Sequence, residues 1–470
     1  MHESLKYINE NLNQFFIYYF FVLGSIYLLL CFLSFFKLKQ YLNRQTFKDL
    51  KEIFRLKKFK SISLIVPAYN EEAGIITSVQ ALLQLEYPEY QIIVVNDGSK
   101  DKTLSLLQEK FNAVEIPYLP YNNLPTQKVR SVFLCKGYKN LILVDKENGG
   151  KADSINAGIN ISENELVIVV DADSIIERDG LLKISYPFME NENIVAVGGT
   201  IRIANGCDIN KGFVENVGLP KSWLAKFQVV EYLRAFMFGR NGFDAMDGIL
   251  IISGAFSCFK KDVLVKIGGF LNGCIGEDME IIVRIQRLFR NDNPETRIAI
   301  IPDPVCWTEA PETLKTLGLQ RKRWQKGTII SLLLHRKLLF NSQYGLLGMV
   351  VFPYFVIFEM LGPIIEVFGY FVFLVSVIFG LVPLSFTIVF LSVAILYGVI
   401  LSLLSVIFEE LTFKKYSRYS HLLELFVIAI VENFGYRQLS SYFRFKGTLE
   451  YFLGEREWGK MEKKGLTNKL

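Results

Sequence analysis

Residues 15–36 form an apolar run without a charge, long enough as a helix to cross a hydrocarbon core of roughly 30 Å. From 61 to about 310 the pattern changes to short apolar runs separated by amphipathic stretches. Segments 61–68, 91–96, 141–144 and 165–170 read as strands, and 71–85, 103–111 and 151–161 as helices. Repeated strand–helix units predict an α/β domain on a parallel, Rossmann-like sheet. Segment 112–140, with Pro117, Pro120 and Pro125, is expected as a loop over that sheet. From Tyr344 the chain turns apolar again. Pro353, Gly362-Pro363 and Gly380 with Pro383 divide it into expected spans near 344–361, 364–382, 384–408 and 421–436. The third is uncharged. The first carries Pro353 and Glu359 and reads also as an interfacial or re-entrant helix. The expected organisation is a signal-anchor helix in 1–40 (about 15–36), an α/β domain in 41–335, a membrane region in 336–440 and a basic tail in 441–470.

Composition supports a membrane-bound chain: 51% of the 470 residues are hydrophobic. The net charge is only +5, but Lys37, Lys39, Arg44, Lys48, Lys51, Arg55, Lys57, Lys58 and Lys60 crowd the stretch after the first apolar run. Following a membrane-length segment, such a cluster reads as a positive-inside signal rather than a nucleic-acid surface. It puts the domain that follows in the cytoplasm. The tail residues Arg437, Arg444, Lys446, Lys460, Lys463 and Lys464 ask for a cytoplasmic C-terminus, hence an even number of C-terminal crossings. Glu366, Glu424 and Glu432 fall inside apolar runs, where acids face a bundle interior, a polar path or the interface. The six cysteines form no CxxC pair and the three histidines lie far apart, so no zinc site is readable. Any metal must be held by carboxylates.

The candidate chemistry sits where apolar runs end. Asp171-Ala172-Asp173 follows 167–170, and Asp97-Gly98-Ser99 follows 92–95. The carboxyl ends of strands in open α/β sheets are where ligands bind. Asp171 and Asp173, one residue apart, suit a hard divalent cation that also holds a diphosphate. One would bind metal while the other orients sugar or nucleotide. Without a cation the two would repel. Pro67-Ala68-Tyr69-Asn70-Glu71-Glu72 is a strand-to-helix junction whose backbone can approach a flat base. Asp97 reads either as an acceptor for a uracil N–H or ribose hydroxyl, or as a cap for the next helix. Asn148-Gly149-Gly150-Lys151 is a glycine turn offering Lys151 to a phosphate, and Asn156-Ala157-Gly158 supplies small residues for packing on the sheet. Glu277 and Asp278 stand at the start of a helix, as caps or with one as a general base. Ser253-Gly254-Ala255-Phe256 offers small residues where an acceptor sugar could pass. Gln320-Arg321-Lys322-Arg323-Trp324 reads either as an interfacial anchor or as a cation and aromatic plane for diphosphate and sugar.

Taken in order, PAYNEE, NDGS, NGGKADSINAG, DAD, SGAF, GED and QRKRW resemble the membrane-embedded family 2 glycosyltransferases. That group includes poly-N-acetylglucosamine, chitin, hyaluronan and cellulose synthases. The resemblance covers about 61–327, and ENFGYRQ at 432–438 is similar to bacterial members. It implies a cytosolic GT-A fold, a UDP-sugar donor, Mg or Mn, and inverting transfer at the inner membrane to a growing polysaccharide. The alternative within the family is a single addition to a glycolipid or lipid-linked acceptor. By the resemblance, Ala68, Tyr69, Glu71 and Asp97 match nucleotide-binding positions, and Lys151 and Asp171 line the donor. Asp173 matches the metal ligand, and Asp278, beside Glu277, the catalytic base. Gly254 and Ala255 fall on the acceptor path, and Gln320, Arg323 and Trp324 match the QxxRW motif of processive enzymes. Gly276 stands where many members carry threonine. The partners implied are the nucleotide sugar, a glycan or glycolipid acceptor and the bilayer. No nucleic acid is implied, and an accessory membrane subunit is compatible with the pattern.

Overall fold

The computed structural model describes residues 2–44, 59–118, 124–416 and 418–455. The basic residues Lys48, Lys51, Arg55, Lys57 and Lys58, the tail lysines Lys460, Lys463 and Lys464, and Pro120 lie outside that set, as does the side chain of Arg44. The chain divides into two compact units, one of Gln40–Pro220 with Asp247–Ala310, the other of Met1–Lys39, Lys221–Met246 and Pro311–Glu462. Segments 221–246 and 311–335, expected within the α/β domain, thus belong to the other unit.

The first unit is built on strands β1 (Ile62–Ala68), β2 (Tyr90–Asn96), β3 (Ala113–Ile116), β4 (Val129–Cys135), β5 (Leu141–Lys146), β6 (Leu166–Val170), β7 (Ile175–Ile176), β8 (Ile194–Ile203), β9 (Asp208–Asn210), β10 (Phe213–Asn216), β11 (Phe256–Lys260) and β12 (Arg297–Thr308). Ten of them form one sheet in the order β3-β4-β5-β2-β1-β6-β11-β8-β12-β7, and β9 and β10 pair separately. Valine and isoleucine dominate β6 and β8, whose residues are all buried. Strands covered on both faces lose alternation and become continuous apolar runs. Each fully buried branched side chain contributes about 1.5–3 kcal/mol through its lost water contact.

The sheet is mixed. β5, β2, β1 and β6 run parallel, as do β8 and β12. β3, β4, β7 and β11 run antiparallel to their neighbours. The all-parallel expectation fails there, and so does the reading of 112–140 as a loop. Pro117 and Pro125 lie between edge strand β3 and its neighbour β4, where the missing N–H removes no ladder bond.

Antiparallel β11 has a consequence for function. Phe256 pairs with Val170, so the residues preceding Phe256 reach the same sheet edge as those following Val170. This brings Gly254 and Ala255 to Asp171, whose N–H donates to the Ala255 carbonyl at 3.3 Å. Helix Lys151–Ile161 packs closely on β1, since a Cβ on Gly158 would come within 2.5 Å of Ile65. The small residues of 156–158 thus set the helix-to-sheet distance.

The second unit is helical. Asn9–Asn43 and Leu384–Thr412 are long and apolar enough to cross a membrane. The expected spans 344–361 and 364–382 appear as Leu347–Met360 and Gly362–Ile378, bent by 47° at the break. That is one broken span or a re-entrant pair, with a proline at 363 where a new helix can start without its N–H. The fourth expected span is corrected. Tyr419–Val431 is a 13-residue helix, about 20 Å at 1.5 Å per residue and short of a hydrocarbon core. It stops before Glu432, which is fully buried and bonded by Arg234 and Ser402. The other acids of the apolar runs are also partnered inside this unit: Glu359 by Arg444 at 2.9 Å, Glu366 by Ser441 and Glu424 by Lys226. Lys37 of the basic cluster pairs with Asp244.

Candidate active site

The rim of the site is two loops laced by their own side chains. At the end of β1, the N–H groups of Asn70, Glu71 and Glu72 donate to Ser99 Oγ (3.0 Å), Thr103 Oγ1 (2.9 Å) and Asp101 Oδ2 (3.1 Å). The loop after β2 returns the bonds, Lys100 N–H to Asn70 Oδ1 (2.8 Å) and Lys102 N–H to Glu72 Oε2 (2.9 Å). Asn70 takes φ 55 to do this, a conformation asparagine tolerates better than most residues. The lacing leaves Tyr69 exposed while Ala68 is buried.

Asp97 does not present itself to a ligand. Its carboxylate is buried and accepts four bonds, from Lys146 Nζ (2.6 Å) and Gly149 N–H (2.9 Å) on Oδ1, and from Asn148 Nδ2 (3.0 Å) and Gly150 N–H (2.8 Å) on Oδ2. Lys146 is also within 2.6 Å of Asp153 and has no exposed surface. Direct acceptance from a base or ribose is therefore not what this geometry provides, and neither is capping of the helix Thr103–Lys110. Asp97 instead shapes the glycine turn that delivers Lys151. The glycines are required: Gly150 has φ 89, and a Cβ on Gly149 would stand 2.5 Å from Asp153. Lys146 and Asp153 were not singled out by the sequence. The signal was a lysine two residues beyond an apolar run.

Lys151 occupies the centre of the sheet edge. Its Nζ lies 2.5 Å from Asp171 Oδ1, 3.3 Å from the Gly254 carbonyl and 3.6 Å from Glu277 Oε1. Burial alone would lower the lysine pKa, but the carboxylates of Asp171, Glu277 and Asp278 outweigh it and raise the pKa above the ordinary value. Asp278 stands against Gly254, where a Cβ would come within 3.2 Å of its Oδ2. Its Oδ1 accepts from the Met279 N–H at 2.9 Å. Both acids head the helix Glu277–Asp292, entered through Gly276 at φ 87 and ψ 41. That left-handed entry suits glycine at 276, since a β-branched residue is strained there.

Asp173 follows one residue after buried Ala172 and is partly exposed. Behind it, burial pushes the Cys306 thiol up, a hydrogen bond with Ser174 opposes this, and Asp171, Asp173 and Glu177 reinforce it. Cys274, beside the helix start, is pushed up to about 12 by burial and then by Glu280, Glu277 and Asp278. Neither thiol is a nucleophile at neutral pH. Among the described residues no group of three His, Cys, Asp or Glu side chains comes together as a metal site. The protein thus offers the hard oxygens of Asp171 and Asp173, which fits an ion that takes its remaining ligands from phosphate and water.

Gln320, Arg323 and Trp324 lie on the helix Leu314–Leu334 of the helical unit. Trp324 is exposed, Gln320 and Arg323 are half-buried, and the most buried cation of the motif is Arg321. The sequence pairing of Arg323 with Trp324 therefore overlooked the arginine that touches the indole. The guanidinium of Arg321 sits 4.3 Å over the Trp324 ring.

Comparison with known proteins agrees with these motifs. The family model described as glycosyltransferase like family 2 matches residues 60–327. A poly-beta-1,6-N-acetyl-D-glucosamine synthase of Staphylococcus epidermidis is 30% identical over 269 residues, 57% of this chain and 54% of that protein. A protein of the same name from Staphylococcus aureus (strain COL) is 28% identical over 271 residues, 57% of this chain and 55% of its own. The chain spans about half the length of these relatives. Among solved structures, a mannosyltransferase from Pyrobaculum calidifontis in complex with GDP-Man and Mn2+ aligns over 88% of this chain and 99% of its own, at 17% identity and a TM-score of 0.48.

Proposed function

The chain belongs to glycosyltransferase family 2, and from that premise we propose that it moves a sugar from a UDP-sugar onto a growing β-glycan at the inner membrane, with inversion at the anomeric carbon. The observation that carries the reading is the cluster of Lys151, Asp171, Glu277 and Asp278 around Gly254 at the sheet edge. It gathers carboxylates suited to proton transfer and one cation for a diphosphate. Asp278 takes the proton of an acceptor hydroxyl, whose oxygen bonds to the anomeric carbon as the bond to UDP breaks. Lys151 transfers its charge from Asp171 to the donor phosphates. Glu277 holds Lys151 and, with the N–H groups of the helix start, orients Asp278. A Mg or Mn ion held by Asp173 and Asp171 would neutralise charge on the departing diphosphate. Tyr69 and Glu71 border the nucleotide, with Ala68 beneath, and Gly254 and Ala255 leave room for the acceptor.

The enzyme works as a multi-pass bilayer protein, a reading supported by two helices long and apolar enough to cross a membrane. The catalytic unit faces the cytoplasm, where nucleotide sugars are made. Gln320, Arg323 and Trp324 are assigned to acceptor binding and processivity by the family pattern, and the name carried by the staphylococcal relatives favours a polymer. The test is a panel of UDP-glucose, UDP-N-acetylglucosamine and UDP-glucuronate with purified protein, reading UDP release and product size with and without EDTA. One donor should give EDTA-sensitive release and a product of many residues. A product of one added residue would replace polymerisation by single transfer, and release from no donor would overturn the reading.

A further inference from the structure

Within the helical unit, Trp324 rests on a built support. Arg321 lies one turn before it on the same helix, 1% exposed, with its guanidinium 4.3 Å from the indole centroid. One nitrogen of that guanidinium, Nη2, is fixed from two sides, by Glu231 Oε2 at 2.6 Å and Tyr436 Oη at 3.2 Å. The Tyr436 hydroxyl in turn donates to the same Glu231 oxygen at 2.5 Å, closing a three-membered ring of bonds. Tyr436 is itself packed on Phe227, ring centroids 5.1 Å apart. Tyr232, on the helix Trp223–Arg234 that carries Glu231, lies 6.5 Å from the indole.

This arrangement is costly as a means of stability. Among the described residues Nε and Nη1 of Arg321 are buried with no acceptor, and an apolar residue of similar volume would avoid that desolvation. What arginine adds here is direction. A guanidinium anchored through Nη2 keeps its charge over the face of the Trp324 ring, which an ammonium on a flexible stem would not do. Among the described residues, the other exposed tryptophan of the unit lacks such a support: Lys226 stands 5.2 Å from Trp223 and, as an ammonium, imposes no plane.

We propose that Arg321, fixed by Glu231 and Tyr436, is a positioning residue that sets the plane of the Trp324 indole against which the acceptor sugar stacks. The inference rests on the acceptor role proposed above for Trp324. It assigns work to three residues outside the motif's own Gln320, Arg323 and Trp324.

The experiment uses the full chain in detergent, with tryptophan replaced by 5-fluorotryptophan and the Trp324 resonance assigned by Trp324→Phe. Arg321→Met and Glu231→Gln should shift and broaden that one fluorine line. Tyr436→Phe, which removes a single oxygen and keeps the ring on Phe227, should do so more weakly, and Arg321→Lys should recover only part of the wild-type line. In the assay, a defined oligosaccharide acceptor should show a KM raised about tenfold in Arg321→Met, the size of a desolvated cation–π contact, with donor KM and kcat within about twofold. An unmoved Trp324 line in Arg321→Met and in Tyr436→Phe overturns the support. A moved line with unchanged acceptor KM overturns its link to the acceptor. If the wild-type rate ignores added acceptor, the acceptor role of Trp324 fails instead, and the fluorine spectrum still decides whether Arg321 orders the ring.

Discussion

Two lysines of the α/β unit stand five residues apart, each among carboxylates. Lys146 is sealed from water between Asp97 and Asp153, both at 2.6 Å, and every oxygen of Asp97 already has protein donors. Lys151 has a quarter of its side chain exposed, and its closest partner, Asp171, is nearly a third exposed. The chemistry is the same and the access differs. A saturated, buried cluster can hold a loop in place but has nothing left for a ligand. An open cluster can exchange its internal partner for an external one. The glycine turn joins the two, so the first fixes the backbone from which the second reaches out.

The sharpest way to break the comparison is through the open cluster's acid. Asp278→Asn keeps shape and removes the base, so turnover measured by UDP release should fall by about 10³-fold, with the unfolding midpoint near wild type. Retained turnover would remove Asp278 from the mechanism. In the closed cluster, Lys146→Met strands two buried carboxylates and should cost about 3–5 kcal/mol in denaturant unfolding. Lys151→Met should cost less than about 1 kcal/mol by the same measurement, because solvent screens the partly exposed pair, yet weaken donor binding about tenfold. Equal destabilisation by the two substitutions would erase the distinction. Gly276→Thr tests the entry to the catalytic helix and should destabilise by about 1–3 kcal/mol through the left-handed backbone.

The smallest effect expected is in pH. The Lys151 pKa is raised by its neighbours against the effect of burial. The ion pair's contribution is therefore complete below the ordinary lysine value of about 10.4 and is lost only as pH climbs through the higher folded value. The stability difference between wild type and Lys151→Met should stay flat from about pH 6 to 9. A slope in that window would mean that the lysine is not paired as described.

Much of this was legible in the chain. β1, β2, β5 and β6 are apolar runs between turn residues, and the helix 151–161 follows its glycine turn as expected. Strand ends located the site, because parallel neighbours bring their carboxyl ends to one edge. β3 and β4 were hidden by Pro117 and Pro125, turn signals that fall in the connection between the two strands and not within either. The antiparallel course of β11 was not legible either, because strand direction depends on the path of the intervening chain. Asp97 misled for a related reason. A carboxylate after a strand looks the same in sequence whether its donors come from a ligand or from Lys146 and two backbone N–H groups far along the chain. In the helical unit, 421–436 has the composition of a span, but Glu432 has a buried partner and ends the helix early.

That partner lies 198 residues upstream, which bears on how the molecule is made. Arg234 leaves the ribosome long before Glu432 does, and Lys226 precedes Glu424 by the same interval. Until the last apolar helix arrives, both cations lack the acids that compensate them. The helical unit is therefore completed late, by a short segment whose insertion depends on charges already waiting for it. Deletions upstream of Glu432 would be felt first as failures of assembly and quality control, before any question of catalysis arises.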